Sequence, residues 1–129
     1  MPSITLSLGD AFLISTPPNG SHLYIAIAQT SASDYLFVNI TSRKSNSENA
    51  CVLRPGLGVP GFIVRESVVA YQFAREINVS ELAELIKVGS PIPNGSCSVS
   101  VLTKIQQGGL TSRRLSNRHK AALKTFLEV

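Results

Sequence analysis

The chain has 129 residues, of which 43% are hydrophobic and 16% are charged, and its formal net charge is +4. This length allows one domain with a real core and excludes a second independent domain, while the composition excludes a disordered segment. Aromatic residues make up only 6% of the chain and Trp is absent, which leaves little material for a base-stacking platform on a sheet surface.

The positive charge is concentrated near the end of the chain. Residues 1–103 contain six Lys and Arg against seven Asp and Glu, whereas residues 104–129 contain six against one. Such a basic stretch favours an anionic partner, either nucleic acid or an acidic protein, and is equally typical of a solvated helix face.

Neither the apolar runs nor the cysteines indicate a membrane or metal protein. No apolar run approaches the about 20 residues needed to span a membrane, and the N-terminus lacks the basic-then-apolar form of a signal peptide. Cys51 and Cys97 do not have the spacing of a zinc site. We therefore predict a cytoplasmic protein with reduced thiols, no membrane contact, no metal and no cofactor.

The first half of the chain is predicted to form short strands that are separated by turn residues at Pro17–Ser21 and Thr30–Asp34. The predicted strands are Asp10–Thr16, His22–Gln29, Asp34–Ser42, Ala50–Arg54 and Ser67–Glu76. A Gly/Pro-rich loop, Pro55–Gly61, joins the last two. Close spacing of five or six strands favours a small, closed or nearly closed barrel over alternating βαβ units.

After residue 76, the spacing of apolar residues changes from that of strands to that of helices. One helix is predicted from a cap at Asn78 or Ser80 to Gly89, a second from about Cys97 to Gln107 with Gly108-Gly109 as its stop, and a third from about Leu115 to Leu127. The predicted fold is thus mainly β with C-terminal helices. It is a single domain in which residues 1–76 form the barrel and residues 77–129 form a helical part that is basic from residue 104.

The order of several segments resembles that of MazF/PemK-type toxins. The matching segments are Gly9-Asp10, "HLYIAIAQ", "VNITS", "GFIVRESVVAYQFAREI" and "SELAELI", and together they cover roughly Leu8 to Val88. The resemblance implies an SH3-like barrel, endoribonuclease activity on single-stranded RNA, a homodimer and a cognate antitoxin. That family usually has an Arg-Pro pair at the start of the second strand, where this chain has His22-Leu23.

Four residues at the ends of two strands are the candidate catalytic group. Metal-independent cleavage of RNA needs a base, an acid and donors for the charge that develops on phosphorus. His22 is the candidate acid or base, Thr41 and Ser42 are candidate donors, and Arg43 is the candidate cation that holds a phosphate. If the second and third strands pair, His22 and Thr41 fall close together.

Four further cations, Lys44, Arg65, Arg113 and Arg114, are candidate substrate-binding residues. Each candidate also has an ordinary structural interpretation, as a turn residue or as a solvated surface charge.

The alternative function is a non-catalytic SH3-like module that binds nucleic acid or an acidic protein through the basic C-terminus. This alternative predicts that deletion of residues 110–129 removes binding and leaves the barrel folded.

Overall fold

The structure is a computed structural model, and it describes residues 6–15, 20–87, 89 and 92–129. Within these residues it contains six strands and three helices. In chain order they are β1 (Asp10–Ser15), β2 (Ser21–Gln29), β3 (Asp34–Ser42), β4 (Val52–Leu53), β5 (Ser67–Asn78), α1 (Val79–Lys87), β6 (Ile92–Ser96), α2 (Val99–Thr111) and α3 (Asn117–Leu127). Most of the turn predicted at Pro17–Ser21 lies outside the described residues.

The six strands form one antiparallel sheet in the order β4-β5-β3-β2-β1-β6, which curls into a half-barrel. The predicted class, mainly β with C-terminal helices, is therefore confirmed. The predicted pairing of the second and third strands is also confirmed, with Leu23 opposite Ile40 and Gln29 opposite Tyr35. None of the helices in the described part of the chain combines the length and the apolar character that crossing a membrane requires.

Strand β2 lies at the centre of the structure and is covered on both faces, which explains its nearly continuous apolar sequence. All residues from Leu23 to Ala28 are buried. Leu23, Ile25 and Ile27 face the main core, on the side of the sheet where α2 and α3 pack. Tyr24 and Ala26 face a second, smaller cluster on the other side, to which α1 contributes Leu82.

Strand β6 was not predicted, because its sequence, IPNGS, has neither β-branched alternation nor an apolar run. It pairs with β1, placing Pro93 opposite Phe12 and Ile92 opposite Leu13. It is the last strand of the sheet, and an edge position tolerates Pro because its missing N–H need not reach a second neighbour. Residues 92–96 therefore form a strand between the first two helices, where no regular element was predicted.

The prediction that Gly108-Gly109 ends the second helix is wrong, since α2 continues through both residues to Thr111. A Cβ atom at Gly108 would lie 2.5 Å from Tyr71 Oη and 2.9 Å from the Ala50 carbonyl oxygen. A Cβ at Gly109 would lie 2.7 Å from Leu123 Cδ2. The two glycines therefore allow close packing of α2 on the sheet and on α3, instead of ending the helix.

Buried polar contacts also hold α2 on the sheet. Tyr71 donates a hydrogen bond to the carbonyl oxygen of Ile105 at 2.5 Å, and burial raises the pKa of Tyr71. Gln106 Nε2 donates to the carbonyl oxygen of Ile27 at 2.8 Å, at the point where the β2–β3 register shifts. Each contact satisfies a polar group that burial would otherwise make costly.

Helix α3 is part of the same core. Leu115, just before α3, is 3% exposed, and Leu123 within it is fully buried. Residues 110–129 are therefore not a separable arm. The expectation that they can be removed without loss of the barrel is revised accordingly.

Candidate functional site

Thr41 and Ser42, the two hydroxyl residues predicted for the site, lie at one end of the curled sheet. Thr41 pairs with Val68 and Ser42 with Ser67, where β5 begins. Both residues are half-buried. The backbone N–H of the next residue, Arg43, donates to the Glu66 carbonyl oxygen at 3.1 Å, after which the chain leaves the sheet.

A groove of about 230 Å³ lies beside these hydroxyls. We call it the β3 groove and define it by six of its lining residues, which are Thr41, Ser42, Lys44, Gln72, Phe73 and Arg114. Four of the six were predicted as site residues from the sequence. They come from three parts of the chain: the end of β3, the loop that follows it, and the turn between α2 and α3.

The loop after β3 presents Lys44 on a tight turn. The Lys44 N–H donates to Ser47 Oγ at 2.8 Å, and the Ser47 N–H donates back to the Lys44 carbonyl oxygen at 3.1 Å. The two bonds fix the backbone of the loop, while the Lys44 side chain is exposed at the groove.

The turn between α2 and α3 docks on this loop through Glu48. Its carboxylate accepts hydrogen bonds from Ser112 Oγ at 2.6 Å and from the Arg113 N–H at 2.8 Å. Next to them, Arg114 Nη2 donates to the Asn46 carbonyl oxygen at 3.0 Å. Arg114 lines the β3 groove, whereas Arg113 contributes its backbone to the contact and is not a lining residue.

The β3 groove carries an excess of positive charge. Among the described residues, neither Lys44 nor Arg114 forms an ion pair. Glu48 also lines the groove, where its carboxylate accepts hydrogen bonds from the α2–α3 turn, so the excess of the lining residues is one positive charge. Two cations next to the end of β3, where Thr41 and Ser42 supply hydroxyl groups, are suited to bind an oxyanion such as a phosphate.

Arg43 lies apart from this group. Its Nη1 is 2.6 Å from Glu66 Oε1, and its Nε donates to Asn49 Oδ1 at 3.1 Å. Arg54 approaches the other oxygen of Glu66 at 3.2 Å. The guanidinium of Arg43 thus anchors the loop to the segment before β5, and Arg43 does not line the β3 groove.

The Arg43–Glu66 contact gives a prediction about pH. The hydrogen bond from Arg43 holds the pKa of Glu66 below its usual value of 4.5, and the nearby charges of Arg43 and Arg54 act in the same direction. A carboxyl whose pKa is lower in the folded state adds stability above its unfolded pKa and loses it as the pH falls through the folded pKa. We therefore expect the free energy of unfolding to fall more steeply below pH 4.5 in the natural chain than in Glu66→Gln. Urea unfolding over a pH series measures this, and equal slopes for the two proteins would contradict it.

His22 lies on β2, opposite Ile14 of β1. The β2–β3 register pairs Leu23 with Ile40, so continuing it by one residue places His22 opposite Thr41. Directly opposed residues of antiparallel strands have Cβ atoms about 4.5–5.5 Å apart and point to the same face. By extension of this register we expect the imidazole to lie near Thr41; the last pair of the β2–β3 ladder is Leu23 with Ile40, and His22 is not a lining residue of the β3 groove.

Arg65 lies on the far side of the two hydroxyls. It lines a second opening, of about 450 Å³, which we call the apolar cavity and which also includes Leu23, Ile40, Thr41 and Ser42. Phe62 and Val64 line it as well and are 48% and 71% exposed. Arg65 forms no ion pair with any described residue. Thr41 and Ser42 thus separate a cationic groove from an apolar one.

Glu48 and Phe73 were not predicted as site residues from the sequence. Glu48 is a single carboxylate in a polar loop, and its partners lie 64 and 65 residues away in the chain. Phe73 has the apolar character of a strand residue in the sequence, and only the local geometry of β5 turns it outwards. No signal in the chain marks either residue, so tertiary contacts were needed to find them.

The chain matches no protein-family model, and no curated protein is significantly similar to it in sequence. Within the described residues, no three His, Cys, Asp or Glu side chains are grouped as ligands for a metal ion. The chemistry of the β3 groove and of the residues next to it is therefore the evidence on function.

Proposed function

We propose that the β3 groove binds single-stranded RNA and that the protein is a metal-independent endoribonuclease that acts in the cytoplasm. The observation that carries this proposal is the convergence of Thr41 and Ser42 with Lys44 and Arg114 at one opening. The cations match the charge of a phosphodiester, and the hydroxyls donate to its oxygens. His22, which an extension of the β2–β3 register by one residue places opposite Thr41, adds the one group of this set that can move a proton.

The proposed reaction uses the 2′-hydroxyl of the RNA as the nucleophile. The 2′-oxygen forms a bond to phosphorus as the bond to the 5′-oxygen breaks, which leaves a 2′,3′-cyclic phosphate and a free 5′-hydroxyl. His22 accepts the proton of the 2′-hydroxyl, and water or the protonated imidazole supplies one to the leaving oxygen. Lys44, Arg114 and the hydroxyl of Thr41 stabilise the charge that develops on the phosphoryl oxygens.

We further propose that the protein is the toxin of a toxin–antitoxin pair and forms a homodimer, as its resemblance to MazF/PemK-type toxins implies. The apolar cavity, with Phe62 and Val64 exposed at its edge and Arg65 in no ion pair with the described residues, suits an antitoxin segment with apolar and acidic residues. A small open reading frame next to the gene is expected to encode this antitoxin.

The proposal is tested by expressing the chain in a bacterial host and examining total RNA. We expect growth arrest and RNA fragments that end in 2′,3′-cyclic phosphate. Replacing His22 by Gln is expected to lower the cleavage rate of the purified protein by about 100-fold or more, since a general acid or base contributes a factor of that size. Thr41→Val, which removes only the hydroxyl, is expected to lower it as well.

Thr125→Val is the matched control for Thr41→Val, because it makes the same change at an exposed position of α3. Its cleavage rate should equal that of the natural chain. Intact RNA after strong expression of a folded protein would overturn the nuclease proposal.

A second candidate function is non-catalytic binding of RNA in the same groove. The observation that favours it is the ion pair between Arg43 and Glu66, which occupies the cation that was predicted to act in catalysis. This candidate predicts salt-dependent RNA binding without turnover. Binding with no cleavage products after prolonged incubation would select it over the nuclease.

A further inference from the structure

Strand β5 contains a β-bulge beside the β3 groove. Phe37 of β3 pairs with Arg75, but Asn39, two residues later, pairs with Ala70. Residues 71–74 of β5 therefore lie opposite the single residue Val38. Such a bulge disrupts the ladder and aims side chains in new directions, and bulges are frequent next to functional sites.

The bulge places one aromatic ring in solvent. Tyr71 is 1% exposed and belongs to the main core, whereas Phe73, two residues later, is 59% exposed. In a regular strand, residues two apart point to the same face, so Phe73 would have followed Tyr71 inwards. Because of the bulge, Phe73 instead lines the β3 groove together with Lys44 and Arg114.

The surroundings of Phe73 favour a nucleotide over a protein as the ligand. Protein-binding hot spots are usually aromatic residues in well-packed, desolvated pockets, but this ring shares its groove with Gln72, Lys44 and Arg114. An aromatic face next to positive charge is the arrangement by which proteins bind single-stranded nucleic acid, with the base on the ring and the phosphate on the cations.

We propose that Phe73 stacks against one unpaired nucleobase of the bound RNA, next to the phosphate that Lys44 and Arg114 hold. This inference rests on the proposed RNA binding and specifies its substrate: RNA with at least one unstacked base at the bound phosphate, and not a continuous duplex. The stacked base is recognised by its face, so the contact tolerates any of the four bases. It therefore selects single-stranded RNA over duplex, without itself selecting a sequence.

Phe73→Leu tests the proposal, because it removes the ring and keeps an apolar side chain, and Phe73→Tyr is its matched control. The measurement is fluorescence anisotropy with a short labelled single strand, the same strand with one abasic nucleotide at successive positions, and a duplex. We expect Phe73→Leu to weaken single-strand binding by about 5- to 150-fold, which is the range of base–aromatic stacking, and to leave the weaker duplex binding unchanged. Phe73→Tyr should bind like the natural chain.

The abasic strands isolate the stacking contact. At one position, removal of the base should weaken binding of the strand to the natural chain. The same removal should not weaken binding to Phe73→Leu further, because the ring that contacts this base is already absent. The slope of affinity against salt concentration should not change in Phe73→Leu, because the phosphate contacts remain. Thermal melting of each variant checks that the fold is intact.

The outcomes separate this inference from the proposed function. If Lys44→Ala weakens RNA binding while Phe73→Leu does not, stacking is overturned and the groove remains the binding site. If Phe73→Leu weakens single-strand and duplex binding equally, or alters the oligomeric state instead of RNA affinity, stacking is likewise overturned. If no RNA binds to the folded protein, or if Lys44→Ala has no effect on binding, both proposals are overturned.

Discussion

Replacement of Leu123 by Ala is expected to lower the free energy of unfolding by about 3 kcal/mol, within the range of about 2–5 kcal/mol for such substitutions in cores. Leu123 is fully buried in the main core, where its Cδ2 lies close to the backbone of Gly109 in α2. The substitution would remove apolar atoms and leave a cavity between α2 and α3, since a helix pair in such close contact has little room to collapse. Urea unfolding monitored by circular dichroism measures the change.

Leu57→Ala is the matched control, because the same atoms are removed from a side chain that is fully exposed in the loop between β4 and β5. Its effect should stay within about 0.5 kcal/mol, as for other surface substitutions. A loss at Leu123 no larger than the loss at Leu57 would show that α3 is not part of the cooperative core. By the same reasoning, a chain that ends at residue 109 would lack both Leu115 and Leu123 and should not unfold cooperatively.

Most elements were predictable because their signals are local. Strand β2 has a continuous apolar run, which is typical of a strand that is covered on both faces. Helix α1 has apolar residues on one face and begins after an Asn that caps it. Strand β6 could not be predicted from its own residues. It pairs with β1 because the chain lies next to β1 after α1 ends, which is a tertiary property. Edge strands receive hydrogen bonds from one neighbour only, so their composition is weakly constrained.

The two glycines of α2, Gly108 and Gly109, were predicted to end the helix but lie inside it. A Gly pair after a helical pattern is usually a stop signal, because Gly adopts the backbone conformation that ends helices. Here neither Gly108 nor Gly109 has a positive φ, and each is required by a neighbour that is distant in the chain, Tyr71 and Leu123 respectively. A sequence pattern does not distinguish a glycine that caps a helix from one that permits close packing.

The candidate site was predictable to the extent that it is continuous in sequence. Thr41 and Ser42 end β3 and Lys44 lies two residues later, so a single polar stretch indicated all three. The sequence did not distinguish Arg43 from Lys44, although one forms an ion pair with Glu66 and the other lines the β3 groove. That difference depends on which side of the loop faces β5, which is a tertiary property.

The C-terminal part contributes to the site in a way that its composition alone did not define. The six cations of residues 104–129 indicated an anionic partner, but only Arg114 among them lines the β3 groove. It is placed there by Glu48, whose carboxylate holds the α2–α3 turn. The position of one cation, and not the net charge of the segment, therefore decides what the groove can bind.

The double substitution Lys44→Glu with Arg114→Glu tests this conclusion and is expected to weaken binding of single-stranded RNA by about 100-fold or more. Two cations that contact phosphate are replaced by anions that repel it. If each cation neutralises one phosphate, the slope of log affinity against log salt concentration should become less negative by about 1.4, or 0.7 for each contact on a single strand. Affinities measured by fluorescence anisotropy over a salt series give both values.

Lys87→Glu with Lys124→Glu is the control that separates local from overall electrostatics. It changes the net charge by the same amount at two exposed residues that do not line the β3 groove. If the long-range field of a basic protein were the cause of binding, both pairs would weaken RNA affinity equally. If the groove is the site, the control pair should keep most of the affinity and the salt slope of the natural chain, because every phosphate contact remains. Equal losses in the two double variants would therefore contradict an RNA site in the β3 groove, even if RNA binding itself were strong.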